Sequence, residues 1–258
     1  MSLIRLITFD VTGTLLKVTS PVGRQYSQAA EKFIGIKFDE NSMQECFWKY
    51  YRQQMKQYPM FGSQHNMTSE QWWFSVFTNC IKGSKQLNTM KTFENSDAQL
   101  QKAFEDVYYN FKWTVYPGAK DTLKSLKSMK TEKYGPMKLA AVSNSDERTP
   151  TILKETNLSE YFDCVVSSVE ARCEKPNPRI FDYTLKKLNL TDIDKNQILH
   201  VGNMYEKDYI AALNGGMQAL LLRDESNENE KVFHKEHIIH ELSEVVMFVG
   251  RNNKEFTS

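Results

Sequence analysis

Ile4-Arg5-Leu6-Ile7-Thr8-Phe9-Asp10-Val11-Thr12-Gly13-Thr14-Leu15 is the stretch whose reading decides the fold. An apolar, β-prone run ends in an aspartate and then breaks into a glycine-containing turn. Such a run reads as a strand buried in a parallel sheet. Open α/β sheets bind ligands beyond the C-terminal ends of their strands. Asp10 therefore projects into a candidate site, and Gly13 lets the backbone come close to a ligand. A strand followed by a turn with a solvated aspartate fits the same residues, so the rest of the chain must arbitrate.

After Leu16 the pattern becomes helical. Ser20-Pro21 reads as an N-cap with proline at the first helical position. Amphipathic helices are predicted over 21–34 and 40–57. Thr68-Ser69-Glu70-Gln71 is a capping box opening a helix to Gly83, and Ser96-Asp97-Ala98-Gln99 opens another to about Asn110. Trp48, Tyr50, Tyr51, Trp72, Trp73, Tyr108 and Tyr109 crowd this segment, mostly as core, with a minority free to face a cleft. Near Tyr116-Pro117-Gly118 strands and helices begin to alternate: a helix from Pro117 to about Met129, strand 138–143, helix 148–157, strand 163–167, helix 178–189, strand 197–201, helix 206–214, strand 218–222 and a last helix 241–249. The run Asp224–Lys231 reads as a solvated loop. Alternation of this kind specifies an α/β fold with a doubly wound parallel sheet. The expected organisation is an α/β core of residues 1–17 and 113–258, interrupted by an all-helical domain of residues 18–112.

The bulk properties agree. The 258 residues, 40% hydrophobic and 25% charged, suit one large α/β domain or a core with an insert. A net charge of +1 gives no electrostatic case for nucleic acid or an acidic membrane surface. Cys46, Cys80, Cys164 and Cys173 form no CxxC pair and no zinc spacing, which reads as reduced structural thiols. No signal peptide and no apolar run of transmembrane length is visible, so an intracellular, cytoplasmic protein is expected. Oligomeric state is open.

Three further stretches carry chemistry. The strand Leu139-Ala140-Ala141-Val142 ends in Ser143-Asn144-Ser145. In Glu174-Lys175-Pro176-Asn177-Pro178-Arg179-Ile180-Phe181 two prolines fix the backbone around a lysine. His200-Val201-Gly202-Asn203-Met204-Tyr205-Glu206-Lys207-Asp208 is a strand, a turn and a helix start, with a helix stop at Gly215-Gly216. His234, His237 and His240 are spaced so that one helix could align them, but no carboxylate pattern joins them as a metal set.

Together these stretches resemble the four motifs of the haloacid dehalogenase (HAD) superfamily. Asp-Val-Thr-Gly-Thr-Leu is similar to its first motif, usually Asp-x-Asp-Gly-Thr-Leu, and the helical insert matches its C1-type cap. Tyr58–Trp73 is similar to an animal group of the superfamily, some of whose members also lack the first-motif acid. The resemblance implies a Rossmann-like core with Asp10 as nucleophile and Lys175 offsetting charge beside it. It implies Thr14, Ser143 and Asn144 around a phosphoryl group. It also implies Mg²⁺ held by Asp10, the Thr12 backbone carbonyl, Asn203 and Asp208.

Two positions depart from the family pattern. Thr12 stands where the general acid/base aspartate belongs, and its hydroxyl is too weak an acid to replace it. Losing such a group costs ~10²–10⁴ in rate, or roughly 3–5 kcal/mol of barrier. Asn203 stands where an aspartate ligates Mg²⁺, and an amide oxygen brings no charge to a cation that favours carboxylates. Mg²⁺ is therefore expected to bind weakly or not at all. Three readings follow. The first is a slow, Mg²⁺-dependent phosphohydrolase acting through an aspartyl-phosphate on a small phosphorylated metabolite. The second is a catalytically silent binding or scaffold protein. The third is a metal-free hydrolase similar to the 2-haloacid dehalogenases.

Overall fold

The computed structural model describes residues 3–84, 97–131, 134–223 and 235–253. It divides into two units, one of Met1–Lys17 with Thr114–Ser258 and one of Val18–Trp113.

In the first unit β1 (Leu6–Phe9) is buried along its whole length. The chain leaves for the second unit through β2 (Leu16–Val18) and returns through β3 (Trp113–Val115), which pair as a two-stranded ribbon. A short antiparallel hairpin follows, β4 (Lys130–Thr131) and β5 (Gly135–Pro136). Then come β6 (Lys138–Ser143), β7 (Cys164–Ser167), β8 (Ile198–Gly202), β9 (Gln218–Leu222) and β10 (Ile238–Ile239). The main sheet runs β10-β9-β8-β1-β6-β7, with every neighbouring pair parallel. From β1 the chain winds outward through β6 and β7. It then crosses to the other side of β1 and winds outward again through β8, β9 and β10. The order therefore reverses between β1 and β8, and a crevice opens beyond their C-terminal ends at such a switch point.

One apolar cluster joins Leu6, Val142, Val166, Ile198 and Leu221 of the sheet to Ile180 and Phe181 of the helix Arg179–Lys187. Side chains two apart on a strand share a face. Thr8 and His200 thus lie on the same face as Leu6 and Ile198, and they are register partners across β1 and β8.

The second unit holds the helices Val22–Ile34, Glu40–Gln57, Ser69–Lys82 and Asp97–Asn110. The Thr68 capping box forms as read: the Thr68 hydroxyl accepts from Gln71 N, and the Gln71 side chain accepts from Thr68 N. Trp72 is fully buried, with Tyr51, Phe61 and Trp73 edge-on around it. Its indole N–H donates to Tyr58 O at 2.9 Å. Trp48 and Tyr109 are exposed, so the aromatic crowd is only partly core.

Several predicted boundaries shift. Pro21 is itself the N-cap and the helix begins at Val22, because its ψ of 141° is extended. Pro117 does not open a helix either; Gly118 caps one beginning at Ala119. The segment after β8 opens as a π-turn, Tyr205–Ile210, before the short helix Ala211–Asn214. The last helix is Ser243–Asn252. β10 went unread because two isoleucines carry no period. His237 ends a short 3-10 turn and His240 lies beyond it, so no single helix aligns them. Ser96, His234 and the Asp224–Lys231 run lie outside the described residues. The cysteines are free thiols. No helix among the described residues is long and apolar enough to cross a membrane.

Truncating Trp72 to alanine removes a buried aromatic and orphans the Tyr58 carbonyl. A loss of about 3–5 kcal/mol is expected, read as a drop in the chemical denaturation midpoint; Trp48→Ala, at a half-exposed ring with no buried hydrogen bond to break, should cost clearly less.

Candidate active site

Asp10 follows directly on β1, and its N–H continues the ladder to Val201 O at 2.9 Å. The carboxylate is thereby delivered to the switch point, largely buried. Val11 O then accepts from both Leu15 N and Leu16 N, and Gly13 N donates to Leu16 O, folding Val11–Leu16 into a tight turn. Gly13 has φ +89°, and a Cβ there would lie 2.4 Å from Asn203 Nδ2. Glycine is what allows the turn after β1 and the turn after β8 to touch. Thr14 Oγ1 lies 3.4 Å from both Asp10 Oδ2 and Asn203 Oδ1 and can donate to either. Thr12, two residues beyond Asp10 in this turn, is exposed.

Lys175 reaches this point from the other side. Its side chain is 1% exposed, and its ammonium donates to Asp10 Oδ1 at 2.7 Å, Asp208 Oδ1 at 2.6 Å and Val142 O at 2.9 Å. An ammonium has three donors, and all three are used. The backbone that carries Lys175 is held by Asn144. The Asn144 amide oxygen accepts from Lys175 N at 2.8 Å and its NH₂ donates to Lys175 O at 2.7 Å. The Lys175–Pro176 peptide bond is cis. Ser143 closes β6 at the same end of the sheet.

Asp208 is more tightly held than its place in the sequence suggests. Beyond Lys175, its Oδ2 accepts from Met204 N at 2.8 Å and its Oδ1 lies 3.2 Å from His200 Nε2. A Cβ on Gly202 would fall 2.3 Å from the Asp208 carboxyl carbon, so glycine also makes room here. His200 is fully buried, and its Nδ1 sits 2.8 Å from Thr8 Oγ1. The structure thus brings Asp10, Thr14, Lys175, Asn203 and Asp208 into one hydrogen-bonded group, with Asn144 behind it. Sequence reading passed over His200 and Thr8. Their signal was a lone polar residue in each of two otherwise apolar strands.

The charges in this cluster lie within hydrogen-bond distance of one another. Burial pushes the Asp10 carboxyl up to about 6, against the pull of Lys175; the second negative charge on Asp208 adds to the rise. Burial works against Lys175 too, but the carboxylates of Asp10 and Asp208 outweigh it and hold the ammonium above its ordinary range. For Asp208, burial is outweighed by Lys175 and then His200, so its carboxyl stays well below the usual range. Burial pushes His200 down, towards the neutral ring. Asp208 is then ionised and can only accept, so His200 Nε2 carries the proton and bare Nδ1 accepts from the Thr8 hydroxyl.

A buried nucleophile-type carboxylate, its fixed ammonium and a polar turn at a sheet switch point make up the motif set of one family. The family model described as haloacid dehalogenase-like hydrolase matches residues 4–216. The chain belongs to that family. It is 33% identical over 250 residues to haloacid dehalogenase-like hydrolase domain-containing protein 3 of Mus musculus, covering 94% of this chain and 92% of that protein. Among solved structures it is similar to 2-haloacid dehalogenase from Pseudomonas syringae pv. Tomato DC3000, with a TM-score of 0.64 at 19% identity, covering 96% of this chain and 99% of that one. The putative HAD-hydrolase YfnB from Bacillus subtilis, in a form bound to magnesium, gives a TM-score of 0.67 at 16% identity, with 96% and 99% covered. At these identities the two structures speak for the HAD fold alone.

The Mg²⁺ that the HAD resemblance implies fits these residues poorly. Both Asp208 oxygens are already accepting, from Lys175, His200 and Met204. Asp10 Oδ1 faces Lys175, and Asn203 is neutral. Among the described residues no group of three His, Cys, Asp or Glu converges as a metal set. What is left of the implied set is one carboxylate oxygen, Asp10 Oδ2, with two neutral oxygens, the Thr12 backbone carbonyl and the Asn203 amide. Titration calorimetry with Mg²⁺ is expected to give a millimolar or unmeasurable affinity. Asn203→Asp should strengthen it by about tenfold or more, since ligand charge sets such affinities. Micromolar binding by the unaltered protein would contradict the fit described here.

Proposed function

We propose that this HAD-family chain is a slow phosphohydrolase working through Asp10 on a small phosphorylated metabolite. The observation that carries the reading is the division of labour on Asp10. Oδ1 is fixed by Lys175, while Oδ2 faces the polar turn of Thr14 and Asn203. Oδ2 attacks phosphorus, the bond from phosphorus to the leaving oxygen breaks, and that oxygen departs with the electron pair. Water then attacks the aspartyl-phosphate, and the bond from phosphorus to Asp10 Oδ2 breaks to release phosphate. Lys175 offsets the charge on Asp10 throughout, and no step is assigned to a metal. Ser143 and the backbone N–H of Asn144 are the groups offered to the phosphoryl oxygens.

Thr12 sets the substrate preference in this scheme. With no carboxyl to protonate the leaving oxygen, acyl and aryl phosphates are favoured over alkyl esters. A Thr at this position also occurs in P-type ATPases, which form a persistent aspartyl-phosphate, so Thr12 argues against fast turnover and not against phosphorylation. The spent oxygens of Asp208 lend some support to a second reading, attack of Asp10 on carbon in a 2-haloacid without a metal. Halide release from such a substrate would select it.

The test is hydrolysis of p-nitrophenyl phosphate beside an alkyl phosphate, with Asp10→Asn as control. Aryl turnover abolished by Asp10→Asn is expected, with the alkyl ester slower. Thr12→Asp should raise the alkyl rate by ~10²-fold or more. The absence of turnover above the Asp10→Asn control points instead to a silent binding protein. The pH dependence has a defined sign. Asp10 must be ionised to attack and its carboxyl titrates at about 6. The value of kcat/KM should therefore fall roughly tenfold per pH unit below that midpoint and level off above it.

A further inference from the structure

We infer that His200 is a positioning residue: from inside the sheet it holds Asp208 in the orientation that fixes the Lys175 ammonium against Asp10. The inference rests on the hydrolase reading above, but its geometry stands by itself. Thr8 on β1 and His200 on β8 are register partners facing the same side, so the contact between their side chains is made by the sheet. The ring is closed in by Phe181, whose centroid lies 5.0 Å away edge-on. Both ring nitrogens are engaged, Nδ1 by Thr8 Oγ1 at 2.8 Å and Nε2 by Asp208 Oδ1 at 3.2 Å.

The line Thr8–His200–Asp208–Lys175–Asp10 is therefore continuous from the middle of the sheet to the reactive carboxylate. Its direction is set by chemistry. Ionised Asp208 can only accept, so Nε2 carries the proton and bare Nδ1 faces the Thr8 hydroxyl, which also lies 3.4 Å from Leu199 O. Asp208 is held on one oxygen by Met204 N and on the other by His200 and Lys175. Without the imidazole N–H, the shared oxygen keeps only the ammonium. The carboxylate is then free to turn about its last torsion, and Lys175 loses a fixed partner. The hydrogen-bonded route from His200 to the reactive carboxylate runs through Asp208 and Lys175.

Three variants separate positioning from bulk. His200→Phe keeps an aromatic ring against Phe181 but has no donor. His200→Gln offers an amide N–H to Asp208 and an amide oxygen to Thr8. Thr8→Val is near-isosteric and removes only the hydroxyl that engages Nδ1. Turnover of p-nitrophenyl phosphate should show kcat lowered about 10–100-fold in His200→Phe, the scale seen when a group orienting a functional ligand is lost, with KM little changed. His200→Gln should recover most of that loss, and Thr8→Val should fall between.

A second readout needs no turnover. The Lys175 side-chain ammonium is buried with three acceptors, so its ¹⁵N-attached protons should exchange slowly enough to be seen by NMR, assigned by their absence in Lys175→Met. The signal is expected in the unaltered protein and in His200→Gln, and lost or broadened in His200→Phe while circular dichroism stays native. Unchanged kcat and an unchanged ammonium signal in folded His200→Phe would overturn the inference. So would an equal loss in His200→Gln and His200→Phe. If His200→Phe fails to fold, Thr8→Val decides by the same two readouts. If the unaltered protein shows no turnover, the hydrolase reading fails while the ammonium signal still judges the positioning of Lys175.

Discussion

A lysine ammonium buried among two carboxylates and a strand carbonyl is the interaction on which the α/β unit's functional end depends. Lys175 Nζ contacts Asp10 after β1, Val142 on β6 and Asp208 beyond β8. Removing an ion from water costs several kcal/mol even in a relaxed protein, and breaking one partner of a buried pair costs 3–5 kcal/mol or so. Such a cluster persists only where every donor and acceptor is met. Here the sheet itself supplies Val142 O, the turn after β8 supplies Met204 N to Asp208, and His200 supplies the remaining donor. The site and the strand ends are mutually dependent: the cation draws three loops together, and the loops keep water away from the cation.

That dependence explains why neutral residues at two acidic family positions leave a self-consistent site. Thr12 is exposed and Asn203 rests against Gly13 and Thr14, so neither leaves an orphaned buried charge. The charges that remain are two carboxylates and one ammonium, with His200 held neutral by burial. Asp10 carries the residual strain of this balance, since the one positive charge is shared and its carboxyl is raised to about 6. A carboxylate in that state is ionised at neutral pH yet less stabilised than a solvated one, which suits the nucleophilic role proposed for it.

The doubly wound pattern was legible because it is written in local terms. β1, β6, β8 and β9 are short apolar runs, and β1, β6 and β8 end at Phe9, Ser143 and Gly202, within a residue of where the sequence places them. The Thr68 box needs only four adjacent residues to cap a helix. Boundaries at Pro21 and Pro117 moved because proline fixes φ but not ψ, and in both cases the helix waits one or two residues for its first turn. β10 became a strand only because β9 offers it a parallel edge.

The candidate site divides in the same way. Asp10, Thr14, Ser143, Lys175, Asn203 and Asp208 stand where the chain resembles the HAD motifs, and that resemblance picks them out without any knowledge of their neighbours. Thr8 and His200 could not be found so. Their importance comes from lying opposite one another across two strands 192 residues apart in sequence. Lys175 and Asp10 likewise meet across 165 residues. Residue type and local period, which act over a few residues, determined by themselves that this chain forms a parallel α/β sheet with an aspartate at its first strand end. Which donor satisfies which buried acceptor was decided by the tertiary structure alone, because a hydrogen bond acts over about 3 Å of space and strand register is what brings distant residues that close.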